Sequence, residues 1–308
     1  MSLSALLLGT SASRPTIERN VSSLALVREG ETMLFDCGEG TQRQMMRYGV
    51  AFSLSDIFFT HFHADHVIGV IGLMRTMALQ GRTDGLRLWG PRSAARHLKS
   101  AVQFGVDRLT FETEINEVDD GSVIDRTEYA IRAFAVDHGP GPAMGYAMVE
   151  ADRKGRFDPE QARSLGVPEG PMWGRIHRGE PVTLDDGRVV QPSDLVGPPR
   201  AGRTVVITGD TRPCPRTVET ARGADLLVHE ATFGDEEAER AIETGHSTAR
   251  EAAIVARDAG CRRLLLTHFS ARYSRDASEL EAQARSVFPA VTIGKDGMEI
   301  DIPFADRD

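Results

Sequence analysis

Within the six residues His61-Phe62-His63-Ala64-Asp65-His66 the chain places three imidazoles and a carboxylate. They follow the apolar run Asp56-Ile57-Phe58-Phe59-Thr60 and lead into Val67-Ile68-Gly69-Val70-Ile71-Gly72-Leu73, so polar groups sit between two core-forming segments. Alternate residues of an extended chain share a face, which lets His61, His63 and Asp65 converge while His66 turns aside. Such crowding supplies ligands to two ions more naturally than to one. Imidazole nitrogen and carboxylate oxygen without thiolate suit a catalytic rather than a structural Zn2+.

Three further residues end apolar, strand-like runs. His138 closes Tyr129–Asp137 before Gly139-Pro140-Gly141, Asp210 follows Val205-Val206-Ile207-Thr208-Gly209, and His268 follows Leu264-Leu265-Leu266-Thr267. Strand ends of one sheet region can meet at a common edge. Joined to the first cluster they make five histidines and two aspartates, a full set for two Zn2+ ions. Glu230, in His229-Glu230 after Leu226-Leu227-Val228, and His246, just ahead of a helix that Ser247 could cap, offer a carboxylate and an imidazole for a general acid. Spacing alone does not establish their contact. Only His97 and His177 have no place in this neighbourhood.

The elements that must position these groups read as two blocks. From Leu3 to about Glu150, strands are expected at Leu3–Leu8, Ser22–Val27, Thr32–Phe35, Arg87–Trp89, Thr110–Glu117 and Tyr129–Val136, with helices at Gly40–Arg47, Gly69–Leu79 and Pro91–Phe104. From Thr204 onward, strands are expected at Thr204–Thr208, Asp225–His229 and Arg263–Thr267, with helices at Arg216–Arg222, Thr248–Asp258 and Ala277–Phe288. Val291–Ile293 and Met298–Ile302 read as a closing hairpin. Between the blocks, Ala151–Gly202 is rich in Gly and Pro, with one short helix at Pro159–Leu165 and a hairpin around Asp185-Asp186-Gly187. That composition makes a poor core and a plausible protrusion.

At 308 residues with 41% hydrophobic and 26% charged content, the chain fits an ordinary soluble globular protein. No apolar stretch approaches the ~20 residues of a membrane span, and no signal peptide is read at the N-terminus. Cys37, Cys214 and Cys261 are odd in number and far apart, which points to a reducing cytoplasm rather than a disulfide framework. A net charge of −9 leans against a polyanionic partner. Residues 151–200, however, balance eight Lys/Arg against eight Asp/Glu, and bound metal ions would add positive charge at the site.

The motifs resemble the metallo-β-lactamase superfamily, whose pattern is His-x-His-x-Asp-His followed by a distant His, Asp and His. Within it the chain resembles the ribonuclease Z family of tRNA 3′-processing endonucleases. The resemblance rests on Leu8-Gly9-Thr10, Arg19-Asn20, Phe35-Asp36-Cys37-Gly38-Glu39-Gly40-Thr41-Gln42 and the histidine cluster. Gly209-Asp210-Thr211-Arg212, His229-Glu230-Ala231-Thr232-Phe233, His246-Ser247-Thr248 and Thr267-His268-Phe269-Ser270-Ala271-Arg272-Tyr273 extend it over nearly the whole chain. It implies an α/β fold, an αββα sandwich with the two blocks as its halves, in one domain over residues 1–308. Residues 151–200 would be a protruding flexible arm, the exosite that grips tRNA in a homodimer, with Gly170-Pro171 matching the arm's Gly-Pro element. By the same resemblance His61, His63 and His138 hold one zinc, Asp65, His66 and His268 hold the other, and Asp210 bridges them. The implied reaction is endonucleolytic removal of the 3′ trailer from precursor tRNA, leaving a 3′-OH on the tRNA and a 5′-phosphate on the trailer. Asp65 would accept the attacking water's proton and His246, oriented by Glu230, would assist the leaving 3′ oxygen. Arg19-Asn20 would handle the cleavage region, and Ser270 and Arg272 are candidate phosphate contacts. One departure stands at Ile17, where the family loop often carries lysine. The alternatives are another dinuclear-zinc phosphodiesterase or arylsulfatase, which would not need the arm, or a nonenzymatic RNA-binding or scaffold protein that kept the fold, in which gaps among the seven ligands would be expected.

Overall fold

In the computed structural model, which describes residues 1–105 and 109–305, the strands fall into two large sheets and one small hairpin. In chain order they are β1 (Leu3–Gly9), β2 (Ser23–Arg28), β3 (Glu31–Phe35), β4 (Asp56–Phe58), β5 (Leu86–Gly90), β6 (Thr113–Glu117), β7 (Val123–Asp125), β8 (Tyr129–Ala135) and β9 (Met144–Glu150). After them come β10 (Val182–Thr183), β11 (Val189–Val190), β12 (Thr204–Ile207), β13 (Leu226–Glu230), β14 (Leu264–Thr267), β15 (Val291–Ile293) and β16 (Glu299–Asp301). One seven-stranded sheet has the order β16-β1-β2-β3-β4-β5-β6 and the other β15-β14-β13-β12-β9-β8-β7.

The composition of β1 shows why the sheets stack. All seven of its residues are buried, with Leu3, Ala5 and Leu7 in the cluster that also holds Ile131, Tyr146, Val205 and Val228 of the second sheet. Leu6 and Leu8 point the other way, into a cluster with Met45, Val70, Leu73 and Leu98 from the helices Thr41–Tyr48, Gly69–Leu79 and Ala94–Gln103. A strand covered on both faces reads as a continuous apolar run, and this one does. On the outer face of the second sheet the helix Ala249–Ala259 buries Ala249, Ala252, Ala253, Ala256 and Ala259, small residues that let its backbone approach closely. Its start is fixed by a capping box between Thr248 and Glu251. The layers are therefore helix, sheet, sheet, helix, the αββα sandwich expected.

Two expectations require correction. The halves of the sandwich do not coincide with the two blocks, because β7, β8 and β9 of the first block join the second sheet. Nor do the last two strands form a hairpin: β15 runs parallel beside β14, while β16 pairs antiparallel with β1 in the opposite sheet. Each of these strands covers an edge that would otherwise expose unpaired main chain. The strand β9 and the helix Ala238–Thr244 were not anticipated, and the helix after Pro91 starts at Ala94.

Residues 150–202 form a second compact unit. Its apolar cluster consists of Ala162, Val167, Ile176, Val182, Leu184, Val190 and Leu195. Asp158 caps the helix Pro159–Ser164 by accepting from the Gln161 amide, and a second, unanticipated helix spans Pro171–Arg178 with Gly170-Pro171 at its start. The expected hairpin is present as β10 and β11. The main chains of Arg153 and Arg200 bond to each other in both directions, at 2.7 and 2.9 Å, drawing the unit's two ends together.

Candidate metal centre

The loops that leave β4, β8, β12 and β14 carry His61–His66, His138, Asp210 and His268 to one place. Asp210 lies in the middle. Its Oδ2 is 3.6 Å from His61 Nε2, 3.3 Å from His66 Nε2 and 3.8 Å from His138 Nε2, and its Oδ1 is 3.3 Å from His268 Nε2. His63 Nδ1 and His138 Nε2 stand 3.2 Å apart, and Asp65 Oδ2 lies 3.6 Å from His66 Nε2 and 3.5 Å from His268 Nε2. His61, His63, His138 and Asp210 form one group, Asp65, His66 and His268 another, and Asp210, Glu230, His246 and His268 a third that overlaps both, with the potential ligand atoms of each within 4.8 Å of one another.

The outer nitrogens of these histidines are held so that the inner ones are bare. Thr60 Oγ1 spends its proton on Asp36 Oδ2 (2.9 Å) and so accepts from His61 Nδ1 (3.0 Å). Thr232 Oγ1 likewise donates to Glu230 Oε2 (2.6 Å) and accepts from His268 Nδ1 (2.9 Å). His66 Nδ1 donates to Asp36 Oδ2 (2.8 Å) and His138 Nδ1 to the Gly245 carbonyl (2.8 Å). Four imidazoles therefore present lone pairs at Nε2, with their tautomers fixed as metal ligation requires.

Two residues of the site have a backbone conformation that side chains disfavour. Asp36 (φ 56) and His268 (φ 57) occupy the left-handed region, and Gly209 (φ 64) precedes Asp210 where a Cβ would meet the Thr60 side chain at 2.6 Å.

This donor set fits a divalent ion. Two atoms each ~2.1 Å from one tetrahedral ion lie about 3.4 Å apart, the spacing seen around Asp210. His61 Nε2 and Asp210 Oδ1 are buried and have no hydrogen-bond partner in the protein, the state of a ligand atom rather than of a structural one. Burial and the neighbouring His66 push the His61 imidazole well below its ordinary range, toward the neutral form that binds metal. Burial would raise the Asp65 carboxyl, but His268 and His66 outweigh it and hold Asp65 low. At His66, Asp210 and Asp36 overcome burial and draw a proton onto the ring. The carboxylates thus call for a cation, which a divalent ion supplies while leaving the imidazoles neutral.

Beside these groups, Glu230 is buried and fully engaged. It accepts from Thr211 N (2.9 Å) and His246 Nδ1 (2.8 Å) at Oε1, and from Thr232 N (3.2 Å), Thr232 Oγ1 (2.6 Å) and Ser247 N (3.1 Å) at Oε2. Both of its oxygens are taken by these donors, and one of them holds Nδ1 of His246. Burial lowers the His246 imidazole, but Glu230 reverses the balance and carries it up to about 9.

The remaining candidates are placed differently. Arg19 turns inward, giving Nη1 to Thr10 Oγ1 and the Gly294 carbonyl, both at 2.7 Å, and Nε to the Ser274 carbonyl at 3.1 Å. Asn20 bonds the Glu39 carbonyl (2.8 Å) and Asp296 (2.6 Å), so this pair anchors its loop. Ile17 is almost fully exposed. Ser270 and Arg272 line a cleft of about 500 Å3 with His246, Arg14 and Arg240, and Arg272 is ion-paired with Glu237. Gly170 and Pro171 belong to the second unit. Asp36, Thr60 and Thr232, to which the sequence alone gives no role, hold the rings of His61, His66 and His268 through hydrogen bonds, and Asp36 and Thr232 lie within Phe35–Gln42 and His229–Phe233. His97 is not remote: it lines a cavity with His61 and His63.

Residues 179–269 match the family described as "Beta-lactamase superfamily domain", and residues 3–153 match the one described as "Anti-Pycsar protein Apyc1". The ribonuclease Z of Gemmatimonas aurantiaca is 63% identical, over 97% of this chain and 96% of its own length. That of Myxococcus xanthus is 56% identical, over 97% of each chain. The human tRNase Z short form superposes with a TM-score of 0.70 at 27% identity, over 98% of this chain and all of its own. Shared layers and full-length identity at this level leave one assignment: the chain belongs to the ribonuclease Z family.

Proposed function

We propose that this chain is a zinc-dependent endoribonuclease that removes the 3′ trailer of precursor tRNA, leaving a 3′-OH on the tRNA and a 5′-phosphate on the trailer. The observation that carries the reading is the cluster of nitrogen and oxygen donors around Asp210, with the His246 imidazole held by Glu230 beside it, in a chain 63% identical to a ribonuclease Z. His61, His63 and His138 would hold one ion, Asp65, His66 and His268 the other, with Asp210 between them. Two Zn2+ ions there would supply the Lewis acidity that polarises a phosphodiester and acidifies an attacking water.

The chain's own groups account for the proton traffic. Asp65, kept ionised by the imidazoles facing it, accepts the proton of the water that attacks phosphorus. Glu230 holds Nδ1 of His246, which leaves Nε2 to donate a proton to the departing 3′ oxygen. The cleft of Ser270, Arg272, Arg14 and Arg240 beside His246 suits the anionic backbone.

The unit of residues 150–202 is read as the exosite for the tRNA body. Its own apolar cluster and paired ends support treating it as separable. Deleting about residues 155–195 should spare hydrolysis of bis(p-nitrophenyl) phosphate and collapse cleavage of a 3′-extended pre-tRNA. Equal loss on both substrates, or no loss on either, rejects the exosite and favours a small-molecule phosphodiesterase. A cytoplasmic homodimer belongs to the same proposal. The three free cysteines are compatible with a reducing compartment, and light scattering of the intact protein tests the dimer. Among the described residues no helix is long and apolar enough to cross a membrane.

A further inference from the structure

Two clefts open beside the ligand groups, and they differ in chemistry. The one lined by His246 carries three arginines, Arg14, Arg240 and Arg272, the last of them paired with Glu237. The other, a cavity of about 920 Å3, reaches His61, His63 and His138 and is not lined by His246. Phe62, between two of those ligands, forms one wall. Its ring lies flat against the His97 imidazole, with centroids 4.7 Å apart and planes 12° from parallel. Gly90 makes room for it: a Cβ there would sit 2.8 Å from Phe62 Cζ, and Phe59 backs the ring at 6.0 Å. Pro140, Pro142, Pro213 and Ile242 complete an apolar lining, and the Ile242 side chain is left 64% exposed.

Away from the three histidines, the described residues that wall this cavity offer phosphate no free cation. Asp137 and Glu243 line it, and its one arginine, Arg212, gives its guanidinium to Glu251 (2.5 and 2.8 Å) and to the His246 carbonyl (2.6 Å). A flat, uncharged aromatic group fits such a wall, and in a nucleic acid that group is a base. The basic cleft on the His246 side suits the backbone instead.

We propose that His97, backed by the Phe62 ring, offers its outer face as a stacking platform for the base of the first trailer nucleotide. The assignment to that nucleotide rests on the reading above. The leaving 3′ oxygen belongs to the last tRNA nucleotide and is directed at His246, which places the tRNA side along the arginine cleft. The nucleotide joined through its 5′ oxygen then enters the apolar cavity. Its base is read by stacking area rather than by hydrogen bonds, so purines and pyrimidines after the cleavage site are processed at different rates.

The test uses the full-length, zinc-loaded protein and three pre-tRNAs: unmodified, abasic at the first trailer position, and abasic at the last retained position. Loss of one stacked base should lower kcat/KM of the wild type about 5- to 150-fold on the first abasic substrate. His97→Ala and Phe62→Leu should slow the unmodified substrate and add no further loss on that abasic one, and His97→Phe should restore the rate. Zinc content and thermal unfolding of each variant report whether the ligand groups are intact, with His97→Ala, on an exposed helix position, as the safer variant. A wild type indifferent to the first abasic site overturns the proposal. So does a His97→Ala defect that persists on it, or one that vanishes only when the last retained base is missing. If unmodified pre-tRNA is not cut at all, the endonuclease reading itself fails and this one with it.

Discussion

Replacing His246 with alanine separates leaving-group catalysis from the rest of the site. His246 is outside the proposed ligand groups, and its Nδ1 is pinned 2.8 Å from Glu230 Oε1, so only Nε2 can act on a substrate. Glu230 would survive the change with its other donors in place, since Thr211, Thr232 and Ser247 still fill both oxygens. The lost contribution is therefore the proton for the departing oxygen. General acid catalysis contributes about 10²–10⁴-fold, which corresponds to roughly 2.7–5.5 kcal/mol of barrier. That loss should appear in single-turnover cleavage of a 3′-extended pre-tRNA, where the leaving group is a basic alkoxide. On bis(p-nitrophenyl) phosphate the departing phenolate is already a stable anion, and the same variant should lose less than about tenfold. A pre-tRNA carrying a 3′-bridging sulfur at the scissile position should recover most of the missing rate, because a thiolate needs no proton to leave. Zinc content must equal that of the wild type. Equal losses on the tRNA and the aryl ester, or no rescue by sulfur, would falsify the acid assignment and leave His246 a positioning residue.

Two further perturbations test the support around the centre and the core below it. Asp36→Ala removes the acceptor that orients His66 and Thr60 and should weaken metal binding about 10–100-fold. The readout is zinc retained against a graded chelator, with activity restored by excess Zn2+, and unchanged retention would discount the orienting role. Asp56, buried on β4, accepts from Arg87 (2.7 and 2.8 Å), Trp89 (2.7 Å) and Arg126 (3.1 Å). Burial would raise its pKa, but the Arg87 and Trp89 hydrogen bonds outweigh burial and leave it lowered. A depressed folded pKa contributes stability above the unfolded carboxyl's ~3.9, which is lost as pH falls through the lower folded value. Asp56→Asn should cost about 3 kcal/mol at neutral pH. In urea melts of the chelated protein the gap to the wild type should close in acid, and a gap independent of pH would contradict the ion-pair account.

The residues proposed as ligands stand out in the sequence because they follow apolar runs, and the physics of a buried strand leaves few reasons for a histidine or aspartate at its end. Val205–Thr208 ahead of Asp210 and Leu264–Thr267 ahead of His268 are of this kind. Pairing across the fold was not legible. Val291–Ile293 and Glu299–Asp301 are separated by Gly294-Lys295-Asp296-Gly297-Met298, a stretch that looks like a local turn. The structure uses it to pass from one sheet to the other, and Asp296 ties it down by accepting from Thr10 (2.8 Å), Asn20 (2.6 Å) and Gln44 (2.9 Å). Ile293 then packs among the outer helices of one sheet while Ile300 packs against the core between the sheets. No local pattern separates these outcomes, because the deciding partners, β14 and β1, are distant in sequence.

The same distinction runs through the centre itself. A ligand must be one of a few residue types, so chemistry marks it in the chain. A group that orients a ligand needs only a correctly placed acceptor, and a threonine hydroxyl already committed to a carboxylate serves as well as any. Thr60 and Thr232 repeat that arrangement, one through Asp36 and the other through Glu230. Two carboxylates thus set the tautomers of His61 and His268 without touching either ring, and each holds a further imidazole directly, His66 for Asp36 and His246 for Glu230. Removing either acid should therefore disturb two histidines at once, one by direct contact and one through a hydroxyl.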